Sequence, residues 1–210
     1  NVSMAIGRSR PTNRTLGWGI EVDDWDGGRV AGNVLAHTGD AQVTNIYGVK
    51  LSGHSRDVQI TDNVMYGFEA GRFAMGVDGD PKDAITVSGN DLQFEGSEMR
   101  FIETEYTAPG TFKDNTYATD ATAAPFEIRG DAVDLAGWQA GVGGEGAQLV
   151  ALSYDDPGRT VERYAASLGY EATLDAFIAE AKQQSRQRWR PEITATALND
   201  YIREGFALTP

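Results

Sequence analysis

Cysteine is absent from the 210-residue sequence, which excludes disulfide staples, a cysteine nucleophile and thiolate metal sites. It leaves the cellular compartment open. No run of about 20 apolar residues is present, so no spanning helix is expected. Nothing at Asn1 reads as a charged segment followed by an apolar one, so any signal peptide is expected to lie outside this sequence. Basic residues are also scarce, with 18 Lys and Arg against 31 Asp and Glu. A net charge of −13 argues against a nucleic-acid partner, whose phosphates demand cations. Residues 155–210 carry 9 acids and 7 bases, so the first 154 residues hold −11 of that charge. Histidine is limited to His37 and His54. They do not occupy equivalent positions in the repeat described next, and no zinc set can be assembled around them.

What is present is a repeat. Asparagines follow short alternating segments at Asn1, Asn33, Asn63, Asn90 and Asn115, with spacings of 32, 30, 27 and 25 residues. Ahead of them stand Arg29-Val30-Ala31-Gly32, Val58-Gln59-Ile60-Thr61-Asp62, Ile85-Thr86-Val87-Ser88-Gly89 and Thr111-Phe112-Lys113-Asp114. A second strand family recurs in step, as Gly19-Ile20-Glu21-Val22-Asp23, Gly48-Val49-Lys50-Leu51-Ser52, Met75-Gly76-Val77-Asp78, Phe101-Ile102-Glu103-Thr104 and Phe126-Glu127-Ile128-Arg129. Each repeat thus offers about three short strands separated by Gly, Asn or Asp turns, where Asn and Asp tolerate a left-handed corner. The expected fold is an all-β right-handed parallel β-helix of about four to five coils over residues 1–154. Stacked coils would align the asparagines into a hydrogen-bonded ladder. Because Asn1 already occupies the ladder position, the chain is expected to start in mid-coil, as part of a longer β-helix protein.

From residue 155 to 210 the pattern turns helical. Asp156-Pro157 reads as a cap and first-turn proline for a helix through Leu168, ended by Gly169. Thr173 caps a stripe of Leu174, Phe177, Ile178 and Ala181, and Thr194 leads into Ala197, Leu198, Tyr201, Ile202 and Phe206. The apolar stripes predict a helical extension packing on or capping the β-helix, and Lys182 to Arg190 reads as a solvated helix face.

The tail segments Asp156-Pro157-Gly158-Arg159-Thr160, Ser167-Leu168-Gly169, Ala172-Thr173, Trp189-Arg190-Pro191 and Tyr201-Ile202-Arg203-Glu204-Gly205-Phe206 are similar to the C-terminal end of secreted bacterial right-handed β-helix proteins. These belong to the pectate-lyase-like superfamily. The resemblance covers residues 155–206 and reaches the coils only in repeat style. It implies a secreted, extracellular or periplasmic protein with a polysaccharide partner. It carries over no catalytic residue.

Strand alternation assigns the faces. With Ile20, Val22, Val49, Leu51, Met75, Val77, Ile102, Thr104, Phe126 and Ile128 inward, one exterior sheet presents Glu21, Asp23, Lys50, Asp78, Phe101, Glu103, Glu105, Glu127 and Arg129. The resemblance implies that such a strip meets sugar chains. For catalysis the candidates are Asp23, Asp78, Glu103, Lys50 and Arg129. Asp23 and Asp78 fall two coils apart, roughly 10 Å from the coil spacing, near the carboxyl separation of inverting glycosidases. Lyase chemistry would call on Lys50, His54, Arg56 and Arg129, but the acidic surface would repel a polyuronate. For binding, the candidates are Trp18, Trp25, Tyr47, Tyr66, Phe73 and Trp138, whose rings could stack on sugars, with Glu21 and Glu127 beside them. A neutral glucan, xylan or mannan suits this surface better than pectin or alginate. No cofactor is required. Asp23, Asp24 and Asp26, and likewise Asp78, Asp80 and Asp83, offer oxygen ligands for Ca²⁺, without EF-hand spacing. Gly141 to Gly146 reads as a mobile loop. Recognition without cleavage, cleavage by a lyase or inverting hydrolase, and a structural or adhesive surface role all stay open at this point.

Overall fold

The structure is a computed structural model and describes residues 1–4, 6–8, 13, 15–37, 41–68, 73–78, 84–94, 100–105, 111–119, 124–144, 146–151 and 153–208. The chain divides into two compact units, parting between residues 152 and 153.

The first unit is a parallel β-solenoid. After β1 (Val2–Met4), the chain lays down β2 (Leu16–Asp23), β3 (Asp26–Ala31) and β4 (Val34–Ala36), then β5 (Asn45–Ser52), β6 (Arg56–Thr61) and β7 (Val64–Tyr66). Next come β8 (Phe73–Val77), β9 (Thr86–Ser88) and β10 (Asp91–Phe94), followed by β11 (Arg100–Thr104), β12 (Phe112–Lys113) and β13 (Thr116–Thr119). The unit finishes with β14 (Phe126–Ile128), β15 (Asp131–Val133), the helix α1 (Leu135–Val142) and β16 (Gln148–Leu149). Like strands stack into three sheets, in the orders β1-β4-β7-β10-β13-β16, β15-β14-β11-β8-β5-β2 and β12-β9-β6-β3. From β2 onward, the paired strands among the described residues run parallel except in the β14–β15 hairpin.

From β3 to β12 the chain completes three turns, fewer than the four to five coils suggested by the five asparagines. The Asn1 repeat supplies β1, β2 and β3, and the count falls short at the other end, where the chain leaves the coil path after β14 for β15 and α1.

The asparagine ladder is present and buried. Nδ2 of Asn33, Asn63 and Asn90 each donates to Oδ1 of the next asparagine at 2.9 Å. That same oxygen also accepts the backbone N–H of the preceding asparagine at 3.0 Å. The amide nitrogens of Asn63, Asn90 and Asn115 also donate to the carbonyls of Val30, Ile60 and Val87. Burial in a low-dielectric core is tolerable because these amides are satisfied. The left-handed corner is taken by the residue before each asparagine, Gly32, Asp62, Gly89 and Asp114. The asparagine itself does not adopt it.

Strand alternation breaks once per coil in the second sheet. A Cβ added at Gly48 would meet Met65 Sδ at 3.1 Å and Phe68 Cζ at 3.0 Å, so this position faces the core. Its neighbour Val49 is also fully buried in that core. Two successive inward residues turn Tyr47 outward, and Gly19, Ala74 and Phe101 occupy the matching place in β2, β8 and β11. Phe101, expected at the solvent face, is therefore a core residue packed on Phe94, Tyr117 and Phe126. Trp138 is likewise interior, stacked on Phe126 at 4.8 Å, and belongs to α1. Gly141 and Val142 form the last turn of that helix, capped by Gly143 at φ 65°, where a mobile loop was expected. Asp134 supplies the N-cap through Gly137 N–H. Burial raises the carboxyl of Asp91 above its ordinary value, with the Thr116 hydroxyl opposing the rise.

The second unit holds α2 (Val161–Ser167), α3 (Leu174–Ala181), a 3-10 turn at Pro191–Ile193 and α4 (Ala195–Gly205). Threonine side chains cap all three α-helices, at Thr160, Thr173 and Thr194. Asp156 is thus not the cap of α2. Its carboxylate instead takes a two-pronged bond from Arg163, at 2.8 and 3.0 Å. Tyr164, Ala165, Phe177 and Ile193 make a small core. Lys182 to Arg190 is a turn beyond α3 and not a helix face, with Arg190 paired to Glu180 and Glu192 and lying 5.3 Å over the Tyr170 ring.

The hydrogen bonds from Arg163, aided by the charges of Arg163 and Arg159, hold Asp156 below its ordinary value of 3.8. A depressed folded value means that this contribution to stability is present above the unfolded value and lost as pH falls through the folded one. In a carboxyl NMR titration of the whole chain, Asp156 should titrate below a peptide aspartate, and Arg163→Ala should raise its midpoint. An unchanged midpoint would remove Arg163 as the cause.

Candidate functional site

The outer face of the sheet running from β2 to β15 carries the polar groups that converge. Register places Glu21, Lys50, Gly76, Glu103 and Glu127 in one row across it. Asp23 and Ser52 begin the next row. Asp78 and Arg129 continue it, their N–H groups bonding to Leu51 O and Thr104 O.

Lys50 organises the centre. It is only 9% exposed, and its Nζ lies 2.8 Å from Asp78 Oδ2 and 3.1 Å from Glu103 Oε1. The same ammonium sits 4.8 Å from the centroid of the Tyr47 ring. Tyr47 donates its hydroxyl hydrogen to Glu103 Oε1 at 2.5 Å. One coil on, Glu127 pairs with Arg100. Burying such charges costs several kcal/mol per ion unless they are matched; here each buried carboxylate has a cation against it.

Beside this network opens a cleft of about 300 Å³ lined by Asp78, Glu103, Thr104, Glu105, Glu127, Arg129 and Gly130. Thr104 helps shape its floor, its hydroxyl donating to Val77 O at 2.6 Å. Carboxylate oxygens dominate the lining and are pure acceptors when ionised. A partner rich in O–H or N–H donors would match them. Set against known proteins, the chain matches no family model, no curated protein and no solved structure. The cleft and its chemistry are therefore the basis for assigning a role.

Of the residues singled out for catalysis, Asp78, Glu103, Lys50 and Arg129 come together at the cleft. Asp23 stands exposed in the row of Asp78, two coils away, with Oδ1 accepting from Ser52 Oγ. Glu127 lines the cleft, and Glu21 is exposed next to Lys50 in register.

The aromatic candidates separate. Trp18, Tyr47 and Phe73 form a column, edge-to-face at 6.3 Å and then stacked at 5.8 Å. Phe73 and Tyr47 are buried within it, which leaves no open ring face there for a sugar, and Trp18 is half-buried. Trp25 is exposed at the corner between β2 and β3, its indole so close over Gly28 that a Cβ there would lie 2.6 Å from Cε3. Tyr66 belongs to another sheet, edge-to-face with His37.

The acids proposed for Ca²⁺ have separate partners. Asp24 accepts His54 N–H and Asp26 holds Arg56. Asp80 and Asp83 lie outside the described residues, and among the described residues no three metal-ligating side chains converge. No helix among the described residues is long and apolar enough to cross a membrane.

The sequence reading missed Arg100 and Gly76. Arg100 was hidden by the alternation break at Phe101. Gly76 carried a signal, since glycine inside a strand marks a close approach.

Proposed function

We propose that the protein recognises an extracellular polysaccharide along the exterior sheet, with its acidic cleft as the binding subsite, in a carbohydrate-degrading system. The observation that carries this reading is the cleft itself: a preformed acceptor-rich hollow on a rigid parallel sheet. Sugar hydroxyls donate to carboxylates fixed in this way without a large ordering cost. Neutral glycans are favoured over polyuronates, because Asp78, Glu103, Glu105 and Glu127 would repel a second set of carboxylates. Secretion belongs to the same proposal and draws on the likeness of the tail to pectate-lyase-like β-helix proteins.

Cleavage of the glycan is the second reading. It is favoured by the convergence of Lys50, Asp78 and Glu103 at one cleft edge with Glu127 and Arg129 beside them. The chemistry would be that of a lyase or hydrolase, with a titratable group at the scissile bond.

Affinity electrophoresis on xylan, cellulose, mannan, pectin and alginate, with and without Ca²⁺, tests recognition. Product assays on the same glycans test cleavage. Retardation is expected on at least one neutral glycan, and Glu105→Gln should weaken it several-fold. Unchanged migration on every glycan would sink the recognition reading.

A further inference from the structure

We infer that Lys50 is the positioning residue of the cleft and that Gly76 is the gap through which it works. The inference rests on the recognition reading and deepens it. Lys50 belongs to β5 and Glu103 to β11, two coils apart, and β8 runs between them. A side chain on the intervening strand would block a direct ion pair. The residue there is Gly76, in register with both Lys50 and Glu103. A Cβ built on Gly76 would lie 2.7 Å from Lys50 Cδ, 2.9 Å from Lys50 Nζ and 2.8 Å from Tyr47 Cε1. Such separations are closer than real carbon contacts, so Lys50 occupies the space a side chain would need.

Gly76 is not among the residues with positive φ. Conformational freedom therefore does not explain glycine here, and the passage of Lys50 does. The consequence falls on Glu103. Lys50 Nζ and Tyr47 OH both bind Oε1, leaving Oε2 without a partner among the described residues and available to the cleft. A carboxylate so held offers one acceptor in a fixed direction to a ligand hydroxyl, which is how a positioned group gains affinity. Glu103 touches the ligand; Lys50 and Gly76 act through it.

Two measurements on the full chain test this. In the first, lysine acetylation by a small amine-reactive ester is followed by mass spectrometry, with exposed Lys182 as the internal reference. Lys50 should react at least about tenfold more slowly than Lys182, and Gly76→Ala and Glu103→Gln should each speed it. In the second, affinity for the neutral glycan that retards the parent protein best is measured. Gly76→Ala and Lys50→Met should each lose about tenfold, the value of one hydrogen bond to a charged group. Gly76→Ala should lose nothing more when added to Glu103→Gln. Rapid acetylation of Lys50 in the parent protein, full affinity in Lys50→Met, or additive losses in the double variant would overturn the inference alone. Absence of binding to any glycan would overturn the recognition reading, and the ligand role of Glu103 with it, while the acetylation rates still judge the Lys50–Gly76 geometry.

Discussion

Asn90→Ala is expected to remove about 4 kcal/mol of stability from the solenoid, several times the effect of an ordinary surface change. Asn90 is fully buried and sits inside the ladder, with an asparagine on each side. Truncation leaves the Asn63 backbone N–H with no acceptor and strips Asn63 Nδ2 of one of its two. It also removes the donor to Asn115 Oδ1 and Ile60 O. A buried backbone donor left unpaired costs about 1–3 kcal/mol by itself, and the other losses add to it. Chemical denaturation followed by the β-sheet circular dichroism signal measures the change. Asn33→Ala should cost less, because Asn33 bonds to one ladder asparagine, Asn63, rather than lying between two. Asn90→Asp sharpens the test. It puts an oxygen where Nδ2 faced the acceptor oxygens of Ile60, Ser88 and Asn115, so its folded pKa rises; the destabilisation grows as pH climbs above the unfolded value of about 3.9 and eases in acid. Parent-like stability in Asn90→Ala would mean that the ladder is ornamental to the fold.

Trp138→Ala should be comparably damaging, at about 3–5 kcal/mol. Trp138 is fully buried and is the largest side chain in the interior. It stacks on Phe126 at 16° between planes and meets Phe112 edge-on at 4.9 Å, so it ties α1 to two of the three sheets. Its removal opens a cavity among rings held by the backbone of β12 and β14, which cannot close around it. Trp138→Phe should recover roughly half of the loss, since a smaller ring preserves part of the stacking. Amide exchange should report the change first in β14 and α1. A variant with unaltered exchange there would show that α1 is not needed to close the core.

Much of the solenoid was legible because its signals are local and repeated. Asn33, Asn63, Asn90 and Asn115 announced a corner at each coil, and the Gly or Asp ahead of each one proved to carry the left-handed conformation. The residues placed on the exterior sheet by alternation include most of the cleft lining, with Asp78, Glu103, Glu105, Glu127 and Arg129 among them. Phe101 escaped because alternation assumes an unbroken strand, and β11 turns two successive residues inward. Helix α1 escaped because a glycine-rich stretch gives little periodic signal; its placement comes from Trp138 filling the end of the core. The turn at Lys182 to Arg190 was misjudged because Glu180, Glu192 and Tyr170 draw Arg190 inward, a preference that charge patterning alone does not express.

By itself, the sequence determined the repeat, the stacking of its strands and the outward face on which polar groups collect. These follow from spacing and alternation, which each coil states again. Tertiary structure decided which of those groups meet. Lys50 and Glu103 are 53 residues apart and touch only because coils stack in parallel register and Gly76 leaves the strand between them bare. Tyr47 and Phe73 became a closed column instead of an open platform because neighbours cover them. A cleft is made by side chains from different coils, and its shape depends on where each strand departs from strict alternation.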